Sequence, residues 1–106
     1  MPDPAHQLAR LHAAGFSIEQ FERFPHAVGI VRDGCIALLQ PTPAGLQRIG
    51  AAGWRMGEVM GVLVQENGQP VFRAKSESLP ATPERLEALR SFERDLAELL
   101  KQAASN

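Results

Sequence analysis

The sequence predicts a single α+β domain over residues 1–106, with the element order α-β-β-α-β-β-α: a four-stranded antiparallel sheet with helices packed on it. Three observations lead there. A capping residue followed by proline occurs at Asp3-Pro4, Thr42-Pro43 and Thr82-Pro83, and each pair suits a helix start, with an oxygen to cap the first N–H groups and a φ preset for the first turn. Asp33-Gly34 and Asn67-Gly68 each join two apolar, strand-length runs and carry the residues of a type I′ hairpin turn, where both central positions need positive φ. Apolar residues make up 44% and charged residues 22%, the balance of a chain that packs a core rather than of a disordered one.

The first helix is expected over 4–14, closing at Gly15, where a left-handed glycine sets Phe16 against Leu11. Ser17-Ile18-Glu19-Gln20 has the capping-box spacing and predicts a short second helix to Phe24, ended by Pro25. Ala27 to Val31 and Cys35 to Leu39 form the first hairpin. The helix begun at Thr42-Pro43 is expected to close near Gly50 and Gly53, with Trp54 against Ile49. Val59 to Val64 and Pro70 to Ser76 form the second hairpin; its two-residue loop pairs Val64 with Val71, Leu63 with Phe72 and Val62 with Arg73. Pro70, opposite Gln65, makes the last strand an edge. From Pro83 to Gln102 the stripe Leu86, Leu89, Phe92, Leu96, Leu99 marks a helix docked along one side.

Leu8–Ile18 and Leu46–Met56 share five identities in eleven positions, so a duplicated α-β-β unit is one reading. Shared helix-closing geometry without common ancestry is the other. The element order is also compatible with profilin-like or roadblock-like folds, an analogy of topology that assigns no role.

Charge and composition narrow the function classes. Lys plus Arg number 11 and Asp plus Glu 12, with no block of like charge, which argues against a nucleic-acid binder that works by neutralising phosphates. The phrase Leu11–Phe21 resembles a helix-turn-helix locally, but its second helix carries Glu19 and Glu22 with only Arg23 basic, a poor recognition surface. A single cysteine, short apolar runs and the start Met1-Pro2-Asp3-Pro4 give no disulfide, membrane span or signal peptide, so a cytoplasmic protein is expected.

No motif assembles a catalytic, metal or cofactor site. His6, His12 and His26 lack partners at ligand spacing, and Cys35 has no base near it along the expected strands. The acids of the last segment, Glu84, Glu87, Glu93, Asp95 and Glu98, read as a solvated helix. Gly50, Gly53 and Gly57 beside Arg48 and Arg55 invite an anion site, but they follow a helix expected to present its negative end.

The functional expectation is therefore a nonenzymatic interaction domain that associates through its sheet, with itself as a homodimer or with another protein. The face of the second hairpin carrying Met60, Val62, Val64, Val71, Arg73 and Lys75 is the candidate interface, unless the last helix folds over it. One alternative is a small-ligand domain with a pocket near Arg48, Trp54 and Arg55; another is an enzyme whose site joins residues distant in sequence.

Overall fold

After Thr42-Pro43 the chain turns back as a strand, not a helix, and this changes the fold class. The computed structural model describes residues 4–22, 24–57 and 59–104, the side chains of 102–104 excepted. The order is α1 (Pro4–Ala13), β1 (Ser17–Glu19), β2 (Val28–Arg32), β3 (Cys35–Thr42), β4 (Gly45–Met56), β5 (Val59–Glu66), β6 (Gln69–Ala74), β7 (Glu77–Pro80) and α2 (Pro83–Ala104). The strands form a seven-stranded antiparallel meander in sequence order, curled into a half-barrel, so the protein is mostly β. The four-stranded α-β-β-α-β-β-α arrangement, its profilin-like order and the duplicated unit are overturned.

Each departure has a local cause. Thr42 uses its hydroxyl in a turn rather than as a helix cap: Oγ1 accepts from the Ala44 N–H at 3.2 Å and donates to the Gly45 carbonyl at 2.7 Å. Pro43 and Ala44 become a two-residue loop, and Thr42 pairs with Gly45. The expected Trp54–Ile49 helix closure therefore does not exist. Ser17–Glu19 is likewise a strand. An extended chain there lets Phe16 pack beneath the sheet with Phe92, ring centroids 5.5 Å apart, while Phe21 reaches the other face. Leu8–Ile18 runs from helix to strand and Leu46–Met56 is extended throughout, so their shared residues specify no common structure. A seventh strand takes over the edge expected of Pro70–Ser76, pairing Phe72 with Leu79 and Arg73 with Ser78.

Other expectations hold. The first helix closes at Gly15 (φ 95°), and the Phe16 N–H donates to the Leu11 carbonyl at 3.1 Å. Asp33, Gly34, Asn67 and Gly68 all take positive φ, and β5 pairs with β6 in the expected register, Gln65 opposite Pro70 included. In α2, Thr82 Oγ1 caps the Arg85 N–H at 3.3 Å. The expected cap Asp3 lies outside the described residues.

One sheet face carries the core. Leu11, Phe16, Ile30, Cys35, Leu39, Phe72, Phe92 and Leu96 are buried together beneath the two helices. Strand β3 is buried from Cys35 to Leu39, hence on both faces. On the outer face of the neighbouring β2, Phe21 closes over Gly29, where a Cβ would stand 2.3 Å from the Phe21 ring and force it to move.

Strand β5 follows β4 only as far as Gly61 and then leaves it. The pairs Trp54–Gly61, Arg55–Met60 and Met56–Val59 join them, and from Val62 to Glu66 the ladder is to β6. At the point of departure a Cβ on Gly53 would lie 2.2 Å from the Gly61 carbonyl oxygen, so the close crossing requires glycine. Two N–H groups of β4 beyond the crossing find partners on the helices. The Leu46 N–H donates to Gln7 Oε1 at 2.8 Å, and the Ala52 N–H to Glu93 Oε1 at 3.1 Å. Gln7 is 3% exposed, a buried polar side chain explained by this bond.

Replacing Gln7 by Met keeps the shape and removes the acceptor, leaving a buried N–H unsatisfied. The expected loss is about 1–3 kcal/mol in urea unfolding; an unchanged midpoint would show that the edge of β4 does not depend on Gln7.

Candidate interaction surface

Arg48, Trp54 and Arg55 do not converge on one pocket. Register places Arg48 opposite Leu39 and Trp54 opposite Cys35, so both point to the helix-covered face. Arg55, one residue on, points to the outer face. Arg48 forms two hydrogen bonds to Glu93, at 2.8 and 3.3 Å. Trp54 packs on Phe72 with ring centroids 5.4 Å apart, and the Arg85 guanidinium lies 5.9 Å from its ring. Glu93 and Arg85 stand eight residues apart on α2, about 12 Å along its axis, so these two residues engage separate parts of the helix. Arg55 is held by an ion pair with Glu19 and lies over the Phe21 ring at 5.6 Å.

The glycines expected to follow a helix lie along and just after β4, Gly50 and Gly57 with positive φ, so the helix-end field does not arise; both neighbouring arginines are already paired with carboxylates. Of the acids on α2, Glu84, Glu87 and Glu98 are exposed as expected, whereas Glu93 and Asp95 are not. Glu93 serves Arg48 and the Ala52 N–H, while Asp95 pairs with Arg32 at 2.8 Å, and Arg32 in turn lies 4.5 Å over the Phe16 ring. Sequence reasoning missed these links. The available signal was an arginine within each of two otherwise apolar stretches of strand, since such a cation needs a carboxylate from whatever packs against it.

The Arg48 hydrogen bond, above all, holds the Glu93 carboxyl below its ordinary range, and the Arg32 hydrogen bond does the same for Asp95. Burial, with Asp33 nearby, pushes the Cys35 thiol up to about 11, which makes it an inert core group. Among the described residues no group of His, Cys, Asp or Glu could hold a metal, and no helix is long and apolar enough to cross a membrane.

The outer face of β5–β6 is different. Phe72, on the opposite face, is fully buried in the core beside Trp54, whereas the outer side carries no helix among the described residues. Met60, Val64 and Val71 are half-buried, Arg73 and Lys75 exposed, and Val62 is 48% exposed. Leu63, on the helix side of the same arm, is 40% exposed, so this strand shows apolar surface on both sides. A groove of about 210 Å³ runs along the arm, lined by Phe24, Val59, Met60, Val62, Ala74 and Lys75. Phe24 follows Arg23, which lies outside the described residues. A second groove, about 360 Å³, lies at the far end of β2 and β3 between Gln20, His26, Gln40 and Pro41.

Comparison with protein-family models, curated proteins and solved structures finds no match to this chain.

Two outcomes test the structural roles. A carboxylate whose folded pKa is depressed adds stability above its unfolded pKa and loses it as pH falls through the folded value. Glu93→Gln should therefore be less stable than the wild type at neutral pH, with the gap closing as pH drops below 4.5, the ordinary value for Glu; a gap independent of pH in urea midpoints would rule out the ion pair as its source. Trp54→Ala should cost about 3 kcal/mol, with blue-shifted tryptophan emission in the native wild type. Water-like emission and a stable variant would instead mark Trp54 as a contact residue.

Proposed function

We propose that this chain is a nonenzymatic association domain whose outer β5–β6 face docks a second copy of itself. The observation that carries the reading is the partly exposed apolar row on a face the helices leave open, Val62 in it 48% exposed. Apolar residues in the middle and charged ones at the edge are the layout of an interface core and rim. The rim holds both signs, Arg73 and Lys75 with Glu66, so the surface complements itself and needs no partner of opposite charge. Two-fold pairing is the commonest assembly of soluble chains.

The face is small. Six residues at about 3.3 Å on strands about 4.8 Å apart present less than the roughly 800 Å² per partner of a standard interface. The dimer is therefore concentration-dependent.

Val64→Lys places a charge at the centre of the contact in each copy and should turn a dimer into a folded monomer, halving the mass seen by light scattering while circular dichroism is unchanged. A wild type that stays monomeric to millimolar concentration would defeat the reading.

A further inference from the structure

Taking the self-association above as its basis, we infer that the two copies lie antiparallel across a two-fold axis perpendicular to β5 and β6, and that Arg73 of each copy exchanges its own Glu66 for the Glu66 of the other. The register sets out the face in rows: Val62 beside Arg73, then Val64 beside Val71, then Glu66 beside Gln69. Lys75, in the turn just after β6, lies at the same end and lines the groove beside Val62. The face is thus cationic at one end, apolar in the middle and acidic at the other end. A parallel arrangement would set Arg73 and Lys75 against their own kind, which is repulsive across an interface. Reversing one copy about the stated axis places each cationic end over the other copy's Glu66 row, sets the Val64–Val71 row against its counterpart, and brings Val62 toward the partner's acidic end.

The existing contact is suited to exchange. Arg73 reaches Glu66 within its own chain at 3.0 Å, with side chains 50% and 35% exposed. Their rows lie four residues apart on β6, about 13 Å, so the two side chains lean along the face and meet over the Val64–Val71 row. An ion pair this exposed contributes little and breaks readily. Exchanging it for the same pair across the axis conserves the charge contact, happens twice by symmetry, and frees Val64 and Val71 to meet the partner.

Reciprocal charge reversal tests this arrangement. Glu66→Arg alone sets the introduced guanidinium against Arg73 of the other copy at both ends, and Arg73→Glu alone sets the introduced carboxylate against Glu66. Each variant, shown folded by circular dichroism, should dimerise at least about tenfold more weakly than wild type in sedimentation equilibrium. An equimolar mixture should form a heterodimer more tightly than either variant pairs with itself, because one of its two contacts then joins the introduced guanidinium to the introduced carboxylate. If a reversal prevents folding, Glu66→Gln and Arg73→Gln serve instead, and their mixture should associate more tightly than either alone. A wild-type dimer that Val64→Lys dissociates but whose reversal variants gain nothing on mixing overturns the antiparallel exchange and leaves the association itself standing. A monomeric wild type, or a dimer indifferent to Val64→Lys, overturns both.

Discussion

The free edge of β4 is the constraint on which the architecture turns. Once β5 departs at Gly61, the N–H groups of β4 that would have met a neighbouring strand must be satisfied otherwise, because burying them unpaired costs about as much as a well-made hydrogen bond contributes. Gln7 from α1 and Glu93 from α2 meet that need at Leu46 and Ala52. The two helices are thereby held to the same strand, and the long one is set with Phe92 and Leu96 over the core. Arg48, gripping Glu93 from β4, fixes the carboxylate in place for the backbone bond. The helices are committed to one face by these contacts, and the opposite face of the β5–β6 arm is left to other means.

The outer face is treated in two ways. Over β2 and β3 the chain covers it internally, with Phe21 closing on Gly29 beside a strand buried on both sides, and Arg55 holding that cover through Glu19. Over β5 and β6 the cover is thinner, with only Phe24 beside Val59, Met60 and Val62 and the Arg73–Glu66 pair reaching over Val64 and Val71. The difference follows from connection length: the segment between β1 and β2 is long enough to fold back over its own strands, whereas the link from β5 to β6 is the two-residue turn Asn67-Gly68 and has nothing to spare.

Features encoded by a few adjacent residues are legible in the sequence. The closure of α1 at Gly15, the cap of α2 at Thr82, both positive-φ turns and the β5–β6 register all depend on contacts within a few positions. The segment from Thr42 to Met56 is not legible in this way, because its local signals serve either structure. Thr-Pro begins a helix or tightens a turn, and the decision comes from β3, whose apolar run offers a ladder to pair with. Ser17–Glu19 misleads for a similar reason, since the capping-box spacing competes with the need to place Phe16 and Phe21 on opposite faces. The surface residues Val62, Val64, Val71 and Arg73 can be assigned to one face from the turn alone. The links from Arg32 and Arg48 to α2 cannot, because they join residues 63 and 45 positions apart.

The parting of β4 and β5 also changes how many strand margins this sheet must protect. An unbroken meander has only its first and last strands to defend, and here those are brief, β1 with three residues and β7 with four ending at Pro80. Short or proline-bearing margins resist adding a foreign strand. The split creates two more in the interior. The helices plug the one on β4, while the one on β5, Val62 to Glu66, is guarded chiefly by its own glutamate and by the twist of a two-stranded ribbon. Crowded, partly unfolded chains would therefore begin to aggregate at this inner margin before they did so at either end of the sheet.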